Sequence, residues 1–223
     1  MIVGGEAELA LLLHLFPEGV EELDGAFAVY ADEPPIGFDV VEAGWEDAWR
    51  EFHHGVTIGK LWIGPPWEEH PDCTVPVVID PGRAFGTGAH ATTRLCLELL
   101  QRVEPTSLLD VGCGSGILSV AAGKLGFAPV GAFDIDEVAL GVTRANAAAN
   151  GVDVEVLEEV RPADLGVMNI ALEVVEGLLP KVPVRRAITS GYLDRDEPHV
   201  AGWQRVARAV RDGWAADLLE FRQ

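Results

Sequence analysis

Apolar positions set the reading of this chain, and their pattern changes character near residue 107. Beyond that point short apolar runs alternate with longer stretches of helical period. The pattern predicts strands over 107–111, 129–133, 154–157, 165–169 and 186–189. It predicts helices near 117–125, 136–150 and 174–179. Such alternation is the mark of an α/β domain with a parallel sheet covered by helices on both faces. The end departs from it. Residues 203–210 and 214–221 flank Asp212-Gly213, a turn pair that predicts a closing antiparallel hairpin. A helix over 203–211 is the competing reading.

Ahead of residue 107 the elements are shorter. Residues 6–16 read as a helix broken by Pro17 and Gly19, and 20–23 and 26–31 as strands around Asp24-Gly25. A further strand is expected over 38–42. These make a small α+β unit over residues 1–43, too short to bury much core alone. Residues 44–56 read as a linker helix, with Trp45, Ala48, Trp49 and Phe52 on one face. The main domain is expected over 57–223. It opens with strands at 57–63 and 75–79 and a helix running to about 103, on which Leu95, Leu99 and Val103 recur every fourth residue.

Charge changes the picture more than composition does. The 48% hydrophobic fraction is ordinary for a globular chain. No apolar run reaches membrane-spanning length, and no secretory signal is expected. The net charge is −20, unevenly spread: residues 1–70 hold 15 acidic residues against 2 basic ones, the remainder 21 against 14. Direct binding of nucleic acid is disfavoured, because phosphates need a basic footprint. An acidic N-terminal third suits steering of a basic protein partner, although charge of this kind also serves solubility alone. Cys73, Cys96 and Cys113 are odd in number and far apart. They offer no metal-ligand spacing, so no metal is expected, and a reducing, cytoplasmic setting is the simplest reading.

The chemistry gathers at Leu108–Gly116. An apolar strand runs into Asp110-Val111-Gly112-Cys113-Gly114-Ser115-Gly116, and a helix opens directly after it. Backbone at such a turn can approach a ligand closely. A dinucleotide fingerprint would need glycine at Ile117 or Ser119, so a nicotinamide dehydrogenase is disfavoured. A carboxylate at Asp110 suits a ligand bearing an ammonium group rather than a pyrophosphate. The next strand ends at Asp134, 18 residues after Gly116, where an acid can accept hydrogen bonds from two ribose hydroxyls. Asp136 reads as the cap of the following helix. Asn169 ends a central strand, facing the crevice where such sheets bind ligands, and in this frame could hold an acceptor amine. His90 is a general-base candidate on residue type alone, and packing of its loop would explain it as well.

With these stretches in place the chain resembles the PrmA family, bacterial methyltransferases of the eleventh protein of the large ribosomal subunit. The likeness rests on Trp45–Arg50, Pro65-Pro66-Trp67-Glu68, Asp80–Thr93, Leu108–Leu118, Asp134–Asp136, Asn169-Ile170 and the closing hairpin. The run Ala84-Phe85-Gly86-Thr87-Gly88, followed by His90, Thr92 and Thr93, is its most specific part. The resemblance implies a Rossmann-like, seven-stranded class I methyltransferase domain that takes S-adenosyl-L-methionine. It implies methylation of lysine or N-terminal amines of that basic ribosomal protein. It carries cofactor contacts onto Thr93, Gly112, Gly114, Asp134 and Asn169, with Phe85 and Thr87 in a loop folding over the site. The family's longer ferredoxin-like N-terminal domain is represented here by a shortened unit of about 43 residues. A different protein lysine, a small-molecule amine, or cofactor binding without turnover are the alternatives.

Overall fold

The computed structural model describes residues 54–72, 74–79 and 90–222, and the backbone of two strands near the N-terminus. The chain divides into two compact units, Met1–Phe52 and His53–Gln223. In the first, β1 (Val20–Leu23) and β2 (Ala26–Val29) pair antiparallel with Leu23 opposite Ala26. The helices expected over 6–16 and 45–52, the strand over 38–42 and the segment 80–89 lie outside the described residues.

The second unit begins with a small sheet. Residues 57–63, expected as one strand, form a hairpin instead: β3 (Val56–Ile58) and β4 (Leu61–Gly64) pair antiparallel. Gly59, at φ 59°, supplies the left-handed step of the turn. β5 (Val75–Val78) then pairs parallel with β4. Helix α1 (Ala91–Leu100) follows, and its C-terminal Gln101 grips the turn by accepting from Lys60 N at 2.8 Å and donating to Ile58 O at 2.9 Å.

The central sheet holds seven strands: β6 (Leu108–Val111), β7 (Val130–Phe133), β8 (Glu155–Val156), β9 (Leu165–Asn169), β10 (Arg186–Leu193), β11 (Trp203–Arg211) and β12 (Trp214–Phe221). Their order is β11-β12-β10-β9-β6-β7-β8. β6 to β10 run parallel, while β12 pairs antiparallel with both β10 and β11, so the closing hairpin forms as expected. β10 outruns its expected four residues because its second half pairs with β12, across an irregularity between Ser190 and Tyr192. Helices α2 (Ile117–Lys124), α3 (Glu137–Ala149) and α4 (Leu172–Leu178) complete the alternation.

Period-two alternation divides the core between the two faces of this sheet. Leu108, Leu165, Val167 and Ile188 pack with Leu95, Leu99 and Val120. Leu109, Val111, Met168 and Ala187 pack on the other side with Val175 and Leu179. All four residues of β6 are buried, as befits a strand covered on both faces. No helix among the described residues is long and apolar enough to cross a membrane.

Candidate active site

At the carboxyl end of β6 the backbone turns through Gly112, Gly114 and Gly116, at φ 76°, 55° and 75°. Side chains rarely adopt such angles, and the surroundings add a second constraint. A Cβ on Gly112 would lie 2.7 Å from Ile170 Cγ2, and one on Gly116 2.8 Å from the Thr143 side chain. The turn spends its amides on protein acceptors. Gly112 N and Cys113 N donate to Phe133 O (2.8 and 3.2 Å), Gly116 N to Cys113 O (2.8 Å) and Gly114 N to Asp134 Oδ2 (2.9 Å). Bare backbone, rather than a nest of free donors, is therefore what these four positions offer a ligand.

Two carboxylates flank the turn and differ in setting. Asp110 is 1% exposed, on the face of β6 that meets α2, and accepts from Ser119 Oγ at 2.6 Å. Burial pushes its pKa up to about 6 against the opposing pull of the Ser119 bond, and the charge of Asp134 adds to the rise. Asp134, at the tip of β7, is half-buried. Its Oδ2 takes Gly114 N and its Oδ1 takes Asp136 N at 3.1 Å, which leaves each oxygen a further lone pair. Asp136 caps α3 by accepting from Val138 N at 2.9 Å.

Asn169 ends β9, on the opposite flank of β6. Its Nδ2 donates to Thr93 Oγ1 at 3.3 Å, joining the first turn of α1 to the strand across 76 residues of sequence. Its Oδ1 is buried with no hydrogen-bond partner. Such an atom is costly to leave unpaired and is a natural acceptor for a ligand N–H. Thr93 is itself buried. The structure thus brings Gly112, Gly114, Asp134, Asn169 and Thr93 to the carboxyl edge of the adjacent strands β7, β6 and β9. Asp110 lies just behind that edge, and Phe85 and Thr87 are outside the described residues.

His90 proves to be the cap of α1. Its Nδ1 lies 2.8 Å from Thr92 Oγ1 and 3.4 Å from Thr92 N, and its ring packs edge-on against Trp214 at 4.9 Å. Burial lowers its pKa, which keeps the ring neutral and able to accept. Burial also pushes the Cys113 thiol up to about 12, so it remains an unreactive thiol at neutral pH. Among the described residues no group of His, Cys, Asp and Glu could hold a metal ion.

Sequence reasoning missed the residues that brace the turn from α3. Thr143 Oγ1 donates to Gly114 O at 3.0 Å and Asn146 Nδ2 to Ser115 O at 2.8 Å. One helical turn on, Asn150 clamps β5 through both its amide atoms, accepting from Val78 N (2.8 Å) and donating to Val78 O (2.6 Å). Their signal was available. Positions 143, 146 and 150 form a polar stripe at helical spacing on a buried face, and buried polar groups need partners.

Known proteins similar to this chain point to one family. The family described as Ribosomal protein L11 methyltransferase (PrmA) matches residues 31–218. The Ribosomal protein L11 methyltransferase of Symbiobacterium thermophilum is 41% identical over 191 residues, covering 78% of this chain and 61% of that protein. Its counterpart from Vibrio cholerae strain O395 is 42% identical over 182 residues, covering 74% of this chain and 62% of that protein. The chain thus spans about three fifths of the length of these curated relatives. The crystal structure of a ribosomal protein L11 methylase from Lactobacillus delbrueckii subsp. bulgaricus is 29% identical, with a TM-score of 0.69, over 76% of this chain and all of that one. The chain belongs to the ribosomal protein L11 methyltransferase (PrmA) family.

Proposed function

We propose that this chain is an S-adenosylmethionine-dependent N-methyltransferase of class I architecture. Its proposed acceptors are lysine or N-terminal amines of ribosomal protein L11, in a cytoplasmic setting. The observation that carries the reading is the unpartnered, buried Asn169 Oδ1 on the strand beside the glycine turn, one strand removed from the half-free Asp134 carboxylate. Those groups fit the two substrates: side-chain-free backbone for close approach of the donor and a carboxylate for its vicinal hydroxyls, and a carbonyl oxygen for the acceptor's amine. When bound, S-adenosylmethionine supplies a methyl group already activated on a cationic sulfur.

The chain's own part is to bind, orient and desolvate. Asp134 would hold the ribose through its remaining lone pairs while its occupied ones keep the Gly114 turn in place. Asn169 Oδ1 would accept an N–H of the acceptor amine, its orientation set by the bond from Nδ2 to Thr93. An acceptor lysine must first be neutral. With a free pKa near 10.4, only about 1 in 2,500 is neutral at pH 7, a cost of roughly 4.6 kcal/mol. A water-excluding site reduces that cost by disfavouring the charged form. No side chain is assigned as general base, and His90 is occupied as a helix cap.

Mass spectrometry of purified L11 after incubation with the chain and labelled donor tests the reading. Methylated amines are expected, and label appearing only on other proteins would move the substrate elsewhere. Asn169→Ala is expected to lower the single-turnover rate at least tenfold with donor affinity within threefold. An unaffected rate removes Asn169 from the mechanism.

A further inference from the structure

β11, the outermost strand of the sheet, carries an irregularity between Arg205 and Ala207. Strand alternation would send residues three apart to opposite faces, and an inserted residue cancels that. Arg205 and Arg208 consequently approach the same carboxylate, each with Nε 3.8 Å from Asp217 Oδ1. Asp217, on β12, is 0% exposed. Its Oδ2 accepts from the Tyr192 hydroxyl at 3.0 Å, which also lies 2.8 Å from Thr189 Oγ1. At 3.8 Å the guanidinium groups act on Oδ1 through space rather than by hydrogen bonds, and they offset only part of the burial that raises the pKa of Asp217.

Arg208 extends this buried group outward. Its Nη2 donates to the carbonyls of Asp194 (3.0 Å) and Asp196 (2.6 Å), in the loop that leaves β10. The same loop is tied twice more: Glu197 pairs with Arg205 at 3.1 Å, and His199 N donates to Glu176 Oε1 at 2.7 Å. Glu176 belongs to α4, which opens three residues after Asn169. The loop 194–199 is thus drawn from the carboxyl end of β10 across to α4, and β10 is the strand that pairs with β9 through Ser190 and Asn169. Gly191, at φ 103°, packs directly on the Ile170 backbone and keeps the two strand ends together.

Sheet order assigns sides. The glycine turn and Asp134 lie on one side of β9, on β6 and β7; β10 and its loop lie on the other. A donor held by the first side leaves the second for the acceptor. We propose that Arg208 is a positioning residue for the acceptor: by bridging buried Asp217 to the Asp194 and Asp196 carbonyls, it fixes loop 194–199 as the wall of the acceptor side. This rests on the methyltransferase reading above. The chemistry of the group favours a positioning role. A buried ion cluster adds little stability over apolar packing of the same volume, whereas its forked donors set the place of two carbonyls at once.

Arg208→Lys is the first test, because it keeps a cation opposite Asp217 while the shorter reach and compact ammonium cannot span Asp217 and two carbonyls together. With L11 as acceptor, a rise of at least fivefold in KM is expected, with kcat and calorimetric donor affinity within twofold. Amide hydrogen exchange should quicken in 194–199 and stay unchanged in β10 and β12. The Arg208→Ala/Asp217→Asn double variant removes both charges, leaves none unpaired, and should show the same KM rise. An unchanged acceptor KM in both variants overturns the proposal, as does an equal loss of kcat and donor affinity, which would mark general damage. Absence of turnover by the unmodified chain would sink the functional reading and this role with it; turnover with unchanged KM sinks the role alone.

Discussion

Two aspartates at neighbouring strand tips illustrate how setting, not residue type, assigns roles. Asp134 accepts two backbone amides and keeps lone pairs toward the edge, whereas Asp110 is enclosed and answered by Ser119. Asp134→Ala therefore removes a prospective ligand acceptor and unties the turn together. Donor affinity, read by calorimetry with S-adenosylhomocysteine, is expected to fall at least tenfold, and an unchanged affinity would contradict the assignment. Asp110 predicts a pH effect of unusual sign. Its folded pKa of about 6 lies above the ordinary 3.8, so between those values the native chain holds a proton that the unfolded chain releases. Its contribution to stability therefore falls as pH rises through that window and levels off above 6. Asp110→Asn carries no such charge. Its stability relative to the unmodified chain should improve by about 1 kcal/mol between pH 5.2 and 7.5, a range clear of the pI near 4.5. Urea denaturation at the two values measures it, and a constant difference between the chains excludes the effect.

At the scale of elements, the turn after β6 and the helix behind it act as one unit. Gly116 stands at φ 75° with Thr143 where a Cβ would go, and Thr143 is also the residue that holds Gly114 O. Gly116→Ala should thus cost about 1–3 kcal/mol and weaken donor binding as well, because the strained backbone and the displaced brace are the same structure. A thermal-denaturation midpoint equal to that of the unmodified chain would show the turn tolerates a side chain. The strand, glycine turn and helix were legible because each has a local pattern, and so was the closing hairpin, from Asp212-Gly213. The β3–β4 turn was not. Gly59-Lys60 is a weak turn signal, and what favours the hairpin is Gln101, 41 residues from Lys60. The Thr93–Asn169 contact and the Arg208 bridge were hidden for the same reason, since residues far apart in sequence meet only once the sheet order is known. Gly112, Asp134 and Asn169 lie at one edge because each follows or ends a strand of the parallel part of the sheet, and strand ends there are fixed by alternation.

For the whole molecule the uneven charge bears on the proposed docking of a basic acceptor. Residues 1–52, the first compact unit, hold 13 acidic residues against 1 basic, while the second unit carries every described candidate site residue. The proposed docking of a basic acceptor and the proposed chemistry can therefore be tested separately. Long-range attraction raises association rates by factors of ten or more at low salt and is screened over a Debye length of about 8 Å at physiological ionic strength. Removal of residues 1–52 is therefore expected to leave calorimetric donor affinity within twofold and to lower kcat/KM for L11 at least tenfold at low salt. Raising the salt to about 0.5 M should shrink that gap, because the intact chain has the larger negative charge to be screened. A small amine, with at most a single positive charge, should distinguish the two chains far less than L11 does. A shortened chain that methylates L11 at the full rate would show that the acidic unit takes no part in docking, and a gap indifferent to salt would show that it docks by shape rather than by charge.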